Sequence, residues 1–265
     1  MARLKTYLLA VATVLMALAI GYFGPPSGIG LAFDSLRNAP PLRVGIVGLG
    51  VGTLASYGRA GDDYRFYELD PGMIRVAQDQ GYFDYLRRSA AQISVEAGDG
   101  RLRLATETDR FDVLVLDAFS SDSVPVHLLT REAFELYRSS LAPGGLLAMN
   151  VSNRHFDLMP LVMSQARVAG LHALGVINAP APELFSSPAR WVLMAAEERQ
   201  LEELRSFIER RRKELGLADP DIELRVLQED EIDVAPVWTD NYSDLFSVLA
   251  PARLNLRFNI DLSNW

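Results

Sequence analysis

The sequence predicts an α/β fold in which a largely parallel β-sheet is covered by helices on both faces. Three observations predict it. From Leu42 onward, short apolar runs alternate with segments of helical periodicity, as in strand–helix–strand units. Several of these runs end in glycine or in an acidic residue, as strands do where they leave a sheet beside a ligand. The 265 residues are 49% hydrophobic, which is enough for one sizeable core.

Apolar runs locate the first five strands in order along the chain. They are Leu42–Gly48, Tyr64–Asp70, Ile93 to near Asp99, Phe111–Asp117 and Leu146–Val151. A glycine-rich turn and a helix follow the first strand, and Pro71 opens the helix after the second, because proline is tolerated in a first helical turn. Thr130 is the expected N-cap of the helix after the fourth strand, with Phe134 and Tyr137 at helical spacing behind it.

The second half of the chain predicts a crossover helix, two more strands and a charged surface helix. The order is a helix over Phe156–Gly170, strands at Leu171–Ile177 and Arg190–Ala196, and a helix over Glu198–Leu215 with its apolar residues on one face. The stretch from Asp219 is expected to be irregular up to a last short helix that contains Leu245 and Phe246.

Composition excludes several classes of function. The net charge is −8 and no run of lysine and arginine is long enough to follow a phosphate backbone. The sequence therefore predicts no nucleic-acid partner and suits a small cationic substrate. The absence of cysteine excludes disulfides, thiolate metal sites and a cysteine nucleophile. The three histidines stand at unrelated spacings, so no metal site is expected.

The N-terminal segment differs in kind from the rest of the chain. After Arg3 and Lys5, an uncharged apolar run from Tyr7 to Phe23 has a length near the lower limit for crossing a bilayer. A retained membrane anchor, a cleaved signal peptide and a buried or peripheral helix are the three interpretations, and the aromatic Tyr22 and Phe23 favour the anchor. The expected organisation is an apolar anchor or signal segment over 1–23, one α/β domain over 24–250 and a tail over 251–265.

Glycines and acids at the ends of the first three strands describe an adenosine pocket. Gly48, Gly50 and Gly52 lie between a strand and a helix, where missing side chains let the backbone approach a ligand. Glu68 closes the second strand, where an acid commonly holds ribose hydroxyls, and Asp99 follows the third, where it could accept from an adenine amino group. A ligand-free turn, an exposed strand-end acid and an Asp-Gly turn are the structural alternatives. The candidate cofactor-binding residues are Gly48, Gly50, Gly52, Glu68, Asp99 and Gly100.

Five segments follow one another in an order that resembles a known family. They are VGIVGLGVGTLASYGR, FYELDP, GDGRLRLA, FDVLVLDAFSSDSVPVHLLTREAFELYRSSLAPGGLLAMNVSNRHFDL and WTDNYSDLF. The order resembles the catalytic domain of the spermidine synthase family, the polyamine aminopropyltransferases. It is most similar to the branch found fused to bacterial membrane segments. The resemblance covers roughly Gly24 to Leu249 and is most specific from Asp117 to Asn153.

The resemblance implies a fold, a co-substrate and an acceptor. The fold is the class I S-adenosylmethionine-dependent methyltransferase-like, or Rossmann-like, domain. The co-substrate is decarboxylated S-adenosylmethionine, no metal is needed, and the acceptor is a small cationic polyamine such as putrescine. By the same resemblance, Glu68 holds the ribose, Asp99 the adenine and Asp117 the reacting amine.

Aminopropyl transfer explains the acids that follow the fourth strand. A neutral amine must attack the carbon beside a sulfonium, yet a polyamine nitrogen is protonated near neutral pH. Asp117 can hold the ammonium, accept its proton and position the lone pair, and Asp122 can hold the other charge of the substrate. Asp240 and Tyr242 match a late segment of the family at the rim of the active site, with an N-cap for the last helix as the alternative. The candidate catalytic residues are Asp117, Asp122, Asp240 and Tyr242.

Three departures from the family pattern keep other functions open. Val51 stands where the family has an aspartate that helps to bind the aminopropyl ammonium, which favours an S-adenosylmethionine-dependent methyltransferase of a small substrate. The loop DAFSSDSVP replaces the shorter DSSDP of the family. We also find no counterpart of the family's N-terminal β-hairpin domain, which shapes the amine pocket and the oligomer interface. A non-catalytic domain that binds an adenosine ligand is therefore the third hypothesis, and a homodimer is left open.

Charges around the apolar run give opposing signals about membrane topology. Arg3 and Lys5 favour a cytoplasmic N-terminus, which would export the domain, whereas Arg37 and Arg43 oppose them. Because the co-substrate of the family is made in the cytosol, we expect a single N-terminal membrane anchor with the catalytic domain in the cytoplasm. Export with a cleaved signal peptide is the alternative.

Overall fold

The fold is described by a computed structural model over residues 22–79, 81–118, 124–180, 186–216, 224–228 and 235–249. The strands are β1 (Arg43–Val47), β2 (Asp63–Glu68), β3 (Gln92–Ala97), β4 (Phe111–Leu116), β5 (Leu141–Asn150), β6 (His172–Asn178), β7 (Ala189–Ala195) and β8 (Leu224–Leu227). The α-helices are α1 (Gly28–Ser35), α2 (Pro71–Gln78), α3 (Tyr85–Arg88), α4 (Gly100–Thr106), α5 (Arg131–Ser140), α6 (Met159–Val168) and α7 (Glu198–Glu214). Short 3₁₀ helices cover Thr53–Tyr57, Val126–Leu128 and Leu245–Val248.

The eight strands form one mixed sheet in the order β3-β2-β1-β4-β5-β7-β6-β8. Strands β1 to β5 pair in parallel, whereas β7 lies antiparallel between β5 and β6, and β8 lies antiparallel on β6. The chain runs outward from β1 to β3 and then returns to β4 on the other side of β1. The carboxyl ends of β1 and β4 therefore form the switch point at which open α/β sheets bind ligands.

Side chains alternate between the two faces of the sheet, and helices cover both faces. Along β4, Val113 and Val115 belong to one core with α1 and α7, whereas Leu114 and Leu116 belong to another with α5 and α6. The predicted apolar stripe of α7 contributes Leu201, Leu204 and Ile208 to the first core. The predicted α/β fold with a parallel-to-mixed sheet and helices on both faces is confirmed.

Two helix starts follow the chemistry that the sequence predicts. Thr130 caps α5, because its hydroxyl accepts a hydrogen bond from the backbone N–H of Ala133 at 3.3 Å. Pro71 is at the start of α2, and the carboxylate of Asp70 in front of it accepts from the backbone N–H of Gly72 at 2.7 Å. Local capping therefore fixes where both helices begin.

Several elements differ from the prediction in length or type. The helix predicted after the glycine turn is a five-residue 3₁₀ helix, because Gly58 directly behind it adopts an extended conformation. The crossover helix α6 begins only at Met159, and the last helix is a 3₁₀ turn capped by Asp244. Strand β8 lies in the stretch predicted to be irregular, where pairing with β6 supplies its backbone partners.

The described residues contain no helix with the length and apolar character that a membrane crossing requires. Of the predicted anchor or signal segment over 1–23, the described part is Tyr22 and Phe23. The predicted tail over 251–265 and the candidate catalytic residue Asp122 lie outside the described residues. The division into these segments therefore stays a prediction.

Candidate functional site

A cavity of about 600 Å³ opens at the carboxyl ends of β1 to β5, where the topology predicts a ligand. It brings together six of the predicted site residues, which are Gly48, Gly50, Glu68, Asp99, Gly100 and Asp117. Further lining comes from Tyr22, Phe23, Met73, His127, Asn150 and Ser152. We call the part of the cavity formed by Gly48, Glu68 and Asp99 its β1–β3 side, and the part formed by Asp117, Asn150 and Ser152 its β4–β5 side.

The glycine turn lies directly against the backbone of the fourth strand's end. Gly48 has φ of 99°, and a Cβ atom there would lie 2.5 Å from the carbonyl oxygen of Asp117. Any side chain at Gly48 would therefore separate the two strand ends that meet in the cavity. Gly50 lines the cavity, with open space where a Cβ atom would be. Gly52 instead packs against Leu86 of α3 and does not line the cavity.

Glu68 connects the end of β2 to the glycine turn. One carboxylate oxygen accepts from the backbone N–H of Leu49 at 2.9 Å, and the other accepts from the backbone N–H of Asp70 at 2.9 Å. Each carboxylate oxygen can accept more than one hydrogen bond, so both still have capacity for donors on a ligand. The two backbone contacts fix the orientation of the carboxylate in the cavity.

Asp99 caps α4 and also faces a histidine. Its Oδ1 accepts from the backbone N–H of Leu102 at 3.0 Å, and its Oδ2 lies 3.1 Å from Nε2 of His127. In place of the Asp-Gly turn that the sequence allows as an alternative, Asp99 is the N-cap and Gly100 the first residue of α4, and both line the cavity. Sequence reasoning gave His127 no role, because its distance from Asp99 along the chain carries no pattern.

Asp117 follows the last residue of β4 and lines the β4–β5 side of the cavity. Its backbone N–H extends the pairing of β4 with β1, because it donates a hydrogen bond to the carbonyl of Val47 at 2.8 Å. Burial raises the pKa of the Asp117 carboxyl to about 7, and the hydrogen bond that Asn150 donates to Oδ1 at 2.7 Å opposes this rise. A carboxyl with this pKa exchanges its proton near neutral pH, which suits a general base or acid.

Asn150 orients that carboxylate and was missed by sequence reasoning. Its side chain is 6% exposed, and its Oδ1 accepts from the backbone N–H of Ser152 at 3.0 Å. The bond from Ser152 fixes which end of the amide faces Asp117, so the NH₂ group must donate to the carboxylate. Asn150 is the last residue of β5, and the strand-end argument that selects Asp117 could have found it too.

Asp240 and Tyr242 line a neighbouring cavity of about 590 Å³, which shares His127 with the first. Arg101 donates to both carboxylate oxygens of Asp240, at 2.8 and 2.7 Å, and the hydroxyl of Thr130 donates at 2.7 Å. These bonds, led by the one from Arg101, lower the pKa of Asp240 to about 2. Asp240 therefore bonds α4 to the cap of α5, and its predicted role at the active-site rim stays a prediction.

The alternative that Asp240 or Tyr242 caps the last helix is wrong. That cap is Asp244, whose Oδ1 accepts from the backbone N–H groups of Phe246 and Ser247 at 3.0 and 3.3 Å. Thr239 and Tyr242 instead close a tight turn through two backbone hydrogen bonds, at 2.8 and 3.1 Å. The described residues contain no group of three or more acids and histidines that could hold a metal ion.

The fold and the sequence both have known counterparts. The structure resembles that of a probable spermidine synthase from Corynebacterium glutamicum, with a TM-score of 0.50 and 18% identity over 80% of this chain and 78% of that one. This match and the strand order identify the S-adenosylmethionine-dependent methyltransferase-like fold, as the sequence predicts.

In sequence, the chain is 31% identical over 134 residues to a probable polyamine aminopropyl transferase from Bifidobacterium longum. It is also 31% identical over 123 residues to a polyamine aminopropyltransferase from Vibrio vulnificus. The matches cover 46% and 43% of this chain and 28% and 39% of those two proteins, so the chain spans less than half the length of either relative. No family model matches the chain. The two relatives support the predicted resemblance to the spermidine synthase family.

Proposed function

We propose that this chain is a polyamine aminopropyltransferase that uses decarboxylated S-adenosylmethionine and a small cationic amine such as putrescine. The observation that carries the proposal is Asp117, a carboxyl with a pKa of about 7 that shares one cavity with the glycine turn and Glu68. The sequence similarity to two proteins named as polyamine aminopropyltransferases supports the same reaction. We further propose that the chain belongs to the membrane-fused branch of the family.

The cavity has the size and chemistry that an adenosine ligand needs. Its volume of about 600 Å³ is within the range of small-molecule sites. Glu68 would accept from the ribose hydroxyls with its free lone pairs, and Asp99 would accept from the adenine amino group. Gly50 leaves open space for the nucleoside at the end of β1, and Gly100, which lines the cavity beside it, packs closely on Val47. The sulfonium end would then point towards the β4–β5 side.

Asp117 would act on the amine and not on the co-substrate. Its ionised carboxylate would accept a proton from the ammonium, which leaves a nitrogen lone pair. The lone pair would attack the aminopropyl carbon beside the sulfonium, a C–N bond would form, and the C–S bond would break with its electron pair moving to sulfur. The products are the longer polyamine and methylthioadenosine. Asn150 would hold Asp117 in the orientation that this proton transfer needs.

A second candidate is a methyltransferase that acts on another small substrate. The observation that favours it is Val51 in the glycine turn, because a methyl donor needs no ammonium partner at that position. A non-catalytic domain that binds an adenosine ligand is the third candidate. These three functions differ in the ligand that the cavity prefers, so one binding series separates them.

The test is to incubate the purified chain with decarboxylated S-adenosylmethionine and putrescine and to measure methylthioadenosine release. Calorimetric titrations with S-adenosylmethionine, its decarboxylated form and methylthioadenosine run beside it. Turnover and a preference for the decarboxylated form support the proposal. Methyl transfer with a preference for S-adenosylmethionine supports the second candidate, and tight binding without turnover supports the third.

We also propose that the segment over 1–23 is a retained anchor with the catalytic domain in the cytoplasm. The requirement for a cytosolic co-substrate supports this topology. Phosphatase and fluorescent-protein fusions to the C-terminus test it. Phosphatase activity without fluorescence would mean export and would rule out aminopropyl transfer from a cytosolic co-substrate.

A further inference from the structure

Two aromatic residues from the end of the apolar N-terminal run form part of the cavity wall. Tyr22 and Phe23 are half-buried, and both line the main cavity together with Asp117, Asn150 and Ser152. The aromatic pair is remote in sequence from every other residue of the site. The sequence pattern favours an interfacial belt of a membrane anchor for this pair, so their position in the cavity is a new observation.

Contacts from two directions hold Tyr22 and Phe23 at the end of the sheet where the cavity opens. The phenolic hydroxyl of Tyr57, at the end of the 3₁₀ helix behind the glycine turn, donates to the carbonyl of Phe23. On the other side, the ring of Phe23 packs edge-to-face against Trp191 of β7, with 6.2 Å between ring centroids. The indole N–H of Trp191 donates to the carbonyl of Tyr22 at 3.4 Å. The pair is therefore held by the 3₁₀ helix on one side and by β7 on the other.

Close packing of α1 on β7 allows the preceding residues, Tyr22 and Phe23, to reach the cavity. A Cβ atom at Gly28 would lie 2.6 Å from Cβ of Trp191, so glycine lets the start of α1 lie directly on β7. Ser27 in front of it is fully buried and caps α1 by accepting from the backbone N–H of Gly30 at 3.1 Å. The short connection from the cap back to Phe23 then keeps the aromatic pair at the end of the sheet.

The register of the sheet locates the pair on the β4–β5 side of the cavity. Trp191 of β7 lies directly opposite Asn150 of β5, and residues that face each other across two strands project from the same face of the sheet. Asn150 in turn donates to Asp117 at 2.7 Å. Phe23, packed on Trp191, therefore belongs to the part of the cavity wall that adjoins the end of β5, where Asn150 and Asp117 lie.

We propose that Tyr22 and Phe23 determine which amine the enzyme accepts. Aromatic faces attract ammonium groups, and their apolar surface contacts methylene chains, so an aromatic wall beside a carboxylate recognises an alkylammonium ion. The aromatic wall formed by Tyr22 and Phe23 would determine how long a diamine can be when one of its nitrogens lies at Asp117. This inference rests on the proposed function, because it assigns the acceptor end of the same site.

The experiment compares Tyr22→Ala and Phe23→Ala with the parent on a series of acceptors, namely diaminopropane, putrescine and diaminohexane. Phe23→Leu keeps apolar bulk without a ring and separates ring chemistry from packing. Phe246→Ala is the matched control, because Phe246 is an aromatic residue that is 85% exposed and lines neither cavity. Calorimetric titration of each diamine into protein saturated with methylthioadenosine measures acceptor binding without turnover.

The expected result is a change in acceptor preference without a change in nucleoside affinity. Loss of either ring should lower kcat/KM and diamine affinity for the preferred acceptor by about tenfold, and should shift the preference towards longer diamines. Affinity for methylthioadenosine should stay within about twofold of the parent in all variants, which also confirms that they fold. Phe246→Ala should match the parent throughout.

Two outcomes separate a failure of this inference from a failure of the proposed function. If the parent transfers aminopropyl groups while Tyr22→Ala and Phe23→Ala keep its acceptor preference and diamine affinity, the inference is wrong. In that case the proposed aminopropyltransferase function stands. If the parent binds diamines in a wall-dependent way but releases no methylthioadenosine, the inference stands and the function is wrong. Loss of nucleoside affinity in Tyr22→Ala and Phe23→Ala alone would overturn the assignment to the acceptor end.

Discussion

The two sides of the main cavity differ in how their acids are held. On the β1–β3 side, Glu68 and Asp99 each accept backbone hydrogen bonds from nearby turns, and both are partly accessible to solvent. On the β4–β5 side, the carboxylate of Asp117 accepts a hydrogen bond from the side chain of Asn150, and burial raises its pKa to about 7. One side is therefore built to stay ionised and hold a ligand, and the other to exchange a proton.

The pKa of Asp117 follows from what surrounds its carboxylate. A carboxylate that accepts several N–H bonds has a stabilised charged form, whereas one that loses water without gaining donors has a destabilised charged form. The residue type is the same in Asp99 and Asp117, and both follow strands of one sheet. For Asp117 burial is the larger effect, and the hydrogen bond from Asn150 is the smaller one.

The largest effect that distinguishes the two sides is expected from Asp117→Asn. The amide keeps the shape but cannot accept the proton, so turnover should fall by about a hundredfold or more, while methylthioadenosine affinity should change little. In the parent, kcat/KM should fall as the pH drops below about 7, because the base must be ionised. Asp112→Asn, on the same strand outside the cavity, is the control. Activity of Asp117→Asn within about threefold of the parent would exclude the general-base role.

A large effect on affinity and not on chemistry is expected on the other side. Glu68→Ala and Asp99→Ala should each weaken methylthioadenosine binding by about 1.5 to 3 kcal/mol, since each removes a charged acceptor. Calorimetry measures the affinity, and Glu96→Ala, an acid of β3 that does not line the cavity, should bind as the parent does. If all three variants bind equally well, the nucleoside does not lie on the β1–β3 side.

An intermediate effect is expected from Asn150, because it tunes Asp117 and does not touch the transferred group. Its hydrogen bond lowers the pKa of Asp117, so Asn150→Ala should raise that pKa and move the pH profile of kcat/KM upwards. Asn150→Asp should move it further, because it puts a second carboxylate beside the first. We expect kcat near neutral pH to fall by about tenfold. An unchanged pH midpoint in both variants would contradict the positioning role.

The smallest effect is expected from Asp240→Asn, outside the main cavity. Its pKa of about 2 lies below the value of an unfolded aspartate, so the ion pair with Arg101 stabilises the fold above about pH 4, and this contribution is lost as the pH falls towards 2. The pair is partly exposed, so the loss in unfolding free energy at neutral pH should stay below about 1 kcal/mol. Urea denaturation at pH 7 and pH 3 measures this loss in unfolding free energy. Asp84→Asn, which removes the acid of the exposed ion pair with Arg88, is the control. An equal loss at both pH values would mean that the charge is not responsible.

The fold could be predicted largely from the sequence, because its signals are local. Strand runs such as Leu42–Gly48, and caps such as Thr130, depend on the next few residues, and both are present within a residue or two of the predicted positions. The elements that differ from the prediction depend on residues that are distant in the sequence. Strand β8 exists through its pairing with β6, and the helix predicted behind the glycine turn is shortened where Gly58 packs against Ser89 and Ala91.

The sequence by itself determined which strand ends carry acids and therefore where a ligand site must lie. The main contacts of Asp99 and Asp70 reach only three and two residues along the chain, so pattern alone identifies such residues. The tertiary structure decided that the Asp117 carboxyl has a pKa raised by burial, and which residues enclose it. Asn150 reaches Asp117 across 33 residues, and Trp191 reaches Tyr22 across 169. Burial and donor count depend on all neighbours in space, and a linear pattern records only neighbours along the chain.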